Sequence, residues 1–287
     1  MGKGVRDLVA EELGEPVDPR VTAMAAAIAA KYGTAARAVL FYGSCLREKQ
    51  LDGLMLDFYL IVSNYREAYG ISWLAPANRL VPPNVFPFQD GRLAAKYAVL
   101  SEADFYRLNG PETRNVSVWA RFAQPSRLVW SASKAARDRA IEAVARAVPT
   151  LLGAALPSVS ESPDPLDIWR HAFALTYSAE LRAERKQRSG SVVDSDPDRY
   201  RRFTALGLAA AVRNDASWVR RRVEGKLLSV LRLAKASATF AGGADYIAWK
   251  INRHAGTNIV LKPWQRRFPL LAAISLLPRL LRSGAVR

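Results

Sequence analysis

The stretch AVLFYGSCLREKQLDGLMLDFYLIVSN, residues 38–64, constrains the fold of this chain more than any other. Its two apolar runs, 38–42 and 57–62, are short and rich in β-branched, aromatic and aliphatic residues, which predicts two buried strands. A Gly-Ser pair ends the first run, and a single acid, Asp57, opens the second. The chain therefore places a tight turn at the end of one strand and a lone carboxylate at the start of the next.

The turn formed by Gly43 and Ser44 has the residue types of a phosphate-binding loop. Glycine lets backbone N–H groups approach an anion, and the serine hydroxyl donates a further hydrogen bond. The segment 45–50 is predicted to begin a helix, whose N-terminus would add partial positive charge. Asp57, thirteen residues after Ser44, can hold Mg²⁺ against the same phosphates, because Mg²⁺ prefers oxygen ligands. Together these features predict nucleotidyl transfer, in which a triphosphate is attacked at its α-phosphorus and pyrophosphate leaves.

The pattern along the chain predicts an α/β half followed by a helical half. In residues 1–130, Asp18 and Pro19 are typical of a helix start, and a third strand is predicted over 93–101. Residues 131–245 show apolar positions at helical spacing. The predicted fold class is therefore α/β: a sheet with helices, then a mainly helical second domain and a basic amphipathic C-terminal segment.

The charge of the chain favours an anionic partner. Its 287 residues contain 42 Lys and Arg against 26 Asp and Glu, a net charge of +16. Such a balance favours nucleic acid, a nucleotide or an anionic membrane surface, with solvated surface charge as the alternative. Cys45 is the only cysteine, so an internal disulfide is excluded and a reducing compartment is favoured. The sequence has no run of roughly 20 uninterrupted apolar residues, so we expect no membrane-spanning helix.

The end of the chain, residues 246–287, is predicted to be a basic amphipathic tail that lies in a membrane interface. Its last part, 262–287, contains six Lys or Arg and no acid. The apolar run 268–277 is too short to span a bilayer, and aromatic and leucine residues beside arginines suit an interfacial segment. The alternative is a basic segment docked on the body of the protein and interrupted by its prolines.

A Gly-Ser turn with a spaced acid opening a strand resembles the DNA polymerase β-type nucleotidyltransferase superfamily, and this resemblance implies a nucleotidyltransferase-type mixed sheet with helices for residues 1–130. That pattern has two acids, as Asp-x-Asp, whereas this chain has one. If Asp57 is the first acid of the pattern, Tyr59 stands at the second position; if Asp57 is the second acid, Met55 stands at the first position. Five separated motifs also resemble the mitochondrial-type phosphatidate cytidylyltransferases, the mitochondrial translocator assembly and maintenance proteins, over about residues 38–185. The motifs are, in order, YGS (42–44), MLDF (55–58), KYAVLS (96–101), ARFAQP (120–125) and YSAELR (177–182).

The resemblance implies a phosphatidate cytidylyltransferase, which forms CDP-diacylglycerol and pyrophosphate from CTP and phosphatidic acid with Mg²⁺ as cofactor. In that interpretation Gly43, Ser44 and Arg121 bind the nucleotide. The predicted magnesium ligands are Asp57 and Asp52, the latter lying in a turn before the second strand.

The resemblance also implies roles for the other charged residues of the motifs. Asp57, Lys96 and Glu180 are the predicted catalytic residues, with Lys96 offsetting phosphate charge and Glu180 acting as a second acid. Arg182 is predicted to hold the lipid phosphate. A phosphate nucleophile is already ionised at neutral pH, so we expect the reaction to need little general-base assistance.

Two other functions stay compatible with these residues. The first is a nucleotidyltransferase that acts on RNA, a protein or a small molecule. The second is a non-catalytic basic protein that binds nucleic acid, with an affinity that falls steeply with salt. The preferred interpretation expects CTP, phosphatidic acid and an anionic membrane surface as partners, and no stable nucleic acid. It also expects a peripheral location on the cytoplasmic face of a bacterial inner membrane, because no import presequence is visible.

Overall fold

The computed structural model describes residues 2–47, 51–159, 164–180 and 192–239, together with residues 260, 262 and 263. Within this part the chain is an α/β structure, a five-stranded mixed sheet with helices on both faces, which confirms the predicted fold class at that level. Arg182 and nearly all of the tail lie outside the described residues, so their roles stay predictions. The nucleotidyltransferase-type fold and the interfacial tail likewise stay predictions.

The sheet has one parallel pair among antiparallel neighbours. Its strands are β1 (Ala36–Tyr42), β2 (Met55–Val62), β3 (Asn84–Asp90), β4 (Leu93–Ser101) and β5 (Ser126–Ser131). Their order across the sheet is β3-β4-β2-β1-β5, and only β2 and β4 run parallel. The strands predicted from the sequence are confirmed, but β3 was not predicted. Pro87 lies within β3, and proline is tolerated there because β3 is an edge strand.

Helices precede, connect and follow the strands. They are α1 (Val5–Leu13), α2 (Pro19–Ala30), α3 (Tyr65–Tyr69), α4 (Leu74–Leu80), α5 (Glu102–Asn109), α6 (Trp119–Phe122), α7 (Lys134–Ala145), α8 (Ala147–Ala155), α9 (Pro165–Ala179), α10 (Pro197–Ala210) and α11 (Trp218–Thr239). The predicted cap of α2 is confirmed, since the Asp18 carboxylate accepts a hydrogen bond from the Arg20 N–H at 2.8 Å.

The helix predicted to begin over 45–50 is described only as far as Arg47. Ser44–Arg47 form a turn of 3₁₀ helix, in which the Leu46 N–H donates to the Gly43 carbonyl at 3.3 Å. Residues 48–50 lie outside the described residues. After them the chain enters β2, which pairs with β1 in the antiparallel orientation.

Each face of the sheet is covered by its own hydrophobic cluster. Val39, Phe41 and Phe58 belong to the cluster that packs against α2. Leu40 and Tyr59 point to the other face, where the cluster extends into α7 to α10. This alternation follows from the two-residue period of a strand. Side chains from both predicted domains, the part before residue 131 and the part after it, therefore contribute to one core.

One helical stretch among the described residues, Lys134–Ser158, is long and apolar enough to cross a bilayer by length and composition alone. Two-thirds of its most apolar window (67%) is buried inside the protein. It comprises α7, α8 and a short 3₁₀ turn, and its residues Leu151 and Leu152 are fully buried in the core. The stretch thus has the burial of a core helix in a globular protein.

A buried ion pair ties the N-terminal helix to the helical half. Arg199 of α10 donates from Nη2 to Glu12 Oε1 of α1 at 2.9 Å, and its Nε donates to the other carboxylate oxygen. Both side chains are nearly inaccessible, at 2% and 9% exposure. Arg199 Nη1 also donates at 3.0 Å to the carbonyl of Ala123, the C-cap residue of α6. One guanidinium therefore connects α1 and α10 with the short helix that carries Arg121.

Replacing Glu12 by alanine is expected to destabilise the protein by about 3–5 kcal/mol, because it leaves the Arg199 guanidinium buried without its counter-charge. Urea unfolding followed by circular dichroism measures the change. The matched control is Asp198→Ala, which removes an exposed carboxylate 3.1 Å from Arg201 and should change the unfolding free energy by about 0.5 kcal/mol or less. Equal unfolding midpoints for the two variants would contradict the structural role of the pair.

Candidate functional site

Three neighbouring strands bring a polar residue each to the same level of the sheet. In the antiparallel pairing of β1 with β2, Tyr42 lies opposite Asp57. In the parallel pairing of β2 with β4, Asp57 lies beside Lys96. Lys96 Nζ is 2.9 Å from Asp57 Oδ1, and both side chains are partly exposed, at 27% and 20%. Two of the residues predicted as catalytic therefore form an ion pair at the end of β1.

The Gly-Ser turn lies directly against this carboxylate. Gly43 has φ +95°, a conformation that L side chains rarely adopt. A Cβ at this position would be 3.2 Å from Asp57 Oδ2. Ser44 is exposed and begins the 3₁₀ turn. The structure thus brings the predicted turn and the predicted acid together, with backbone N–H groups and a hydroxyl at the turn.

A second ion pair reaches the site from the helices. Arg121 of α6 has its Nη1 3.4 Å from Glu180 Oε1, and Glu180 follows the last residue of α9. Glu180 is only 5% exposed. Arg121 Nη1 also donates to the carbonyl of Ser117. Burial acts to lower the pKa of Arg121, but the Glu180 carboxylate, together with Tyr59, Tyr42 and Asp57, more than offsets it, so the pKa of Arg121 is raised.

Tyr42 and Tyr59 connect the two ion pairs. Their rings lie 5.3 Å apart on the face of the sheet that α7 to α10 cover. Burial raises the pKa of Tyr42, and the charge of Asp57 raises it further, while Arg121 lowers it and Glu180 raises it. Because one phenol interacts electrostatically with three of these charged groups, Asp57, Arg121 and Glu180 belong to one cluster. The phenols themselves stay protonated at neutral pH.

The donor chemistry of the site fits Mg²⁺. Asp57 Oδ1 is buried, and within the described residues its one ion-pair partner is the Lys96 ammonium that it faces. Protein sites for Mg²⁺ commonly use one or two carboxylates together with substrate phosphates and water. In the described part of the chain, no group of three or more His, Cys, Asp or Glu side chains is placed to hold a metal ion. A magnesium ion at Asp57 would therefore depend on phosphate oxygens for its other ligands.

Asp52 has different neighbours. Its Oδ1 accepts a hydrogen bond from Arg20 Nη1 at 3.3 Å, and Arg20 is also held by Asp18 at 2.8 Å. Asp52 thus has a cationic partner near the start of α2, and its predicted role as a second magnesium ligand stays a prediction.

The sequence did not single out Arg232 of α11. Arg232 interacts electrostatically with Glu180, Tyr59 and Arg121. In the sequence it is one of many basic residues on a helix, and only its place on the buried face of α11 distinguishes it.

No protein-family model matches the sequence, and no curated protein matches it.

Replacing Gly43 by alanine is expected to weaken the binding of magnesium and nucleotide, because the new methyl group presses on the Asp57 carboxylate. Strain at a positive φ should also destabilise the protein by about 1–3 kcal/mol. Gly91→Ala is the matched control, since Gly91 has φ +54° with open space around it. Calorimetric titration of each variant with CTP and Mg²⁺, together with its melting temperature, separates the two effects. The interpretation fails if both variants bind the nucleotide equally well.

Proposed function

We propose that this chain is a magnesium-dependent nucleotidyltransferase that transfers CMP from CTP to phosphatidic acid. The observation that carries the proposal is the Asp57 carboxylate, which lies beside the Gly43 turn and 2.9 Å from Lys96. An acid, a close-approach glycine and a cation at one strand end are the groups that a metal-bound triphosphate requires. The five ordered motifs of the family resemblance support CTP and phosphatidic acid as the two substrates.

In the proposed reaction, a phosphate oxygen of phosphatidic acid attacks the α-phosphorus of CTP. A new P–O bond forms as the bond to the bridging oxygen of the β-phosphate breaks, and pyrophosphate leaves with that oxygen. Lys96 and Arg121 would offset the charge that develops on the phosphate oxygens. The attacking phosphate is ionised at neutral pH, so no side chain has to remove a proton from it.

The remaining groups of the site would position the triphosphate. The backbone N–H groups after Gly43 and the exposed Ser44 hydroxyl can donate to its oxygens. Glu180 would orient Arg121, whose guanidinium it holds at 3.4 Å. Magnesium, held by Asp57 and by phosphate oxygens, would supply further neutralisation of the triphosphate charge.

The exposed surface of α11 supports a lipid as the acceptor. Val219, Val223, Leu227 and Leu231 are exposed and follow one another at intervals of four residues, so they form a stripe along one face of the helix, here called the α11 stripe. Three basic side chains beside the stripe are also exposed, namely Arg220, Arg222 and Lys226. An apolar stripe flanked by cations is typical of a helix that lies on an anionic membrane.

The Asp57→Asn variant tests the proposed reaction. We expect it to lose at least about a hundredfold in CMP transfer, because it removes the carboxylate charge that would hold magnesium while keeping the side-chain shape. The assay uses radiolabelled CTP, Mg²⁺ and vesicles containing phosphatidic acid, and it detects labelled CDP-diacylglycerol. Asp90→Asn is the matched control, since Asp90 is exposed at the end of β3, and it should keep full activity.

Two results would overturn the proposed function. One is undiminished transfer by Asp57→Asn. The other is transfer of label from CTP or ATP to RNA or protein in the absence of lipid, which would favour a different acceptor. Salt-sensitive binding of nucleic acid with no metal-dependent nucleotide binding would instead favour a non-catalytic basic protein.

Introducing a charged residue into the α11 stripe tests whether the stripe binds the membrane. Leu227→Glu should weaken sedimentation with vesicles of phosphatidic acid and phosphatidylcholine by roughly ten- to a hundredfold, because it removes an apolar side chain worth about 1.5–3 kcal/mol on burial and adds a negative charge. Leu80→Glu, at an exposed position of α4, is the matched control and should bind like the unmodified protein. Equal vesicle binding by the two variants would exclude the stripe as the contact surface.

A further inference from the structure

Helix α11 brings a second arginine to the candidate site. The Nε of Arg232 donates to the carbonyl of Pro82 at 2.7 Å, just before β3 begins. Its Nη2 is buried and has no hydrogen-bond partner in the part of the chain that the structure describes. Buried polar groups in folded proteins are almost always hydrogen-bonded, and a guanidinium has five N–H donors. Arg232 therefore has donor capacity that its protein neighbours do not use.

Among the residues that the structure describes, positive charges outnumber negative ones around Arg232. Burial lowers the pKa of Arg232, the Glu180 carboxylate opposes this effect, and the Arg121 charge adds to it. Lys235, three residues further along α11, donates to the Val81 carbonyl. Burial and, to a smaller extent, the nearby Arg232 charge lower the pKa of Lys235 to about 7. Within the described part of the chain, Glu180 thus serves as the counter-charge for two guanidinium groups, so an additional anion would be favourable here.

Packing elsewhere on α11 fixes the position of Arg232. At Gly225 a Cβ would lie 2.1 Å from the carbonyl oxygen of Ala179, the residue before Glu180. Arg221 is 2% exposed and donates to the carbonyls of Thr113 and Arg114 at 3.3 and 3.1 Å. Arg232 lies seven residues, about two turns, after Gly225 and therefore on the same face of the helix. The helix approaches the end of α9 because of Gly225, and this approach brings Arg232 towards Glu180.

We propose that Arg232 is a phosphate-binding residue of this site and donates from Nη2 to a phosphate oxygen of a substrate. Arginine suits this role because its planar guanidinium matches the geometry of a phosphate group. The phosphate belongs either to the nucleoside triphosphate or to the phosphate monoester of the acceptor, which share this chemistry. This inference rests on the proposed function, because it assumes that the site accepts phosphate groups. It adds helix α11 to the elements that bind the substrates.

The test measures binding to the full-length protein by isothermal titration calorimetry. The probes are tripolyphosphate with Mg²⁺, CTP with Mg²⁺, and a short-chain phosphatidic acid below its micelle concentration. Arg232→Gln should weaken the binding of at least one probe by about ten- to a hundredfold, the loss expected for a charged hydrogen bond. Arg232→Lys should bind with intermediate affinity. The matched control Arg201→Gln removes an exposed charge from α10, away from the site and the α11 stripe, and should change affinity by no more than about twofold.

The pattern across the probes identifies the phosphate. Weakened CTP and tripolyphosphate binding assigns Arg232 to the triphosphate, and weakened phosphatidic acid binding alone assigns it to the acceptor. Melting temperatures show whether each variant is folded; if Arg232→Gln does not fold, the comparison is made with Arg232→Lys. Unchanged affinity of the folded variant for every probe overturns the inference. A protein that binds the probes through Arg232 but transfers no CMP would overturn the proposed function alone.

Discussion

The register of the three central strands is the constraint on which the candidate site depends. Tyr42, Asp57 and Lys96 share one level of the sheet because apolar residues anchor β1, β2 and β4 on both faces. A slip of one residue would turn the Asp57 side chain to the opposite face, since strand side chains alternate. The strand pairing that buries the two clusters therefore also aligns the acid with its cation and with the Gly43 turn. The same strand pairing thus stabilises the fold and positions the charged residues of the candidate site.

The helical half completes the site instead of standing apart from it. Arg121, Glu180 and Arg232 come from α6, the end of α9 and α11, and their charges act on Tyr59 in the middle strand. Two features hold these helices in place: the ion pair between Glu12 and Arg199, and the close approach of α11 to α9 at a glycine. The candidate site is therefore bounded by strand residues on one side and by helix residues on the other.

Local patterns and the family resemblance predicted the β1 turn, Asp57 and Lys96, because these residues belong to strands whose apolar periodicity is visible in the sequence. The resemblance also named Arg121 and Glu180, but their pairing across 59 residues depends on helix packing that no local pattern contains. The strand β3 was missed because Pro87 disrupts its strand signal. Arg232 was missed because α11 is basic throughout, and its buried face is recognisable only once Gly225 is seen against Ala179.

The central claim is that the Asp57 carboxylate holds a divalent cation together with a nucleoside triphosphate beside the Gly43 turn. The most direct measurement is electron paramagnetic resonance of Mn²⁺, as a substitute for Mg²⁺, titrated into the protein with and without CTP. We expect the unmodified protein to bind Mn²⁺ tightly only when CTP is present. With the Asp57→Asn variant, the spectrum should be the same as that of Mn²⁺ and CTP without protein. Protein-bound Mn²⁺ of equal affinity in the folded variant would contradict the claim.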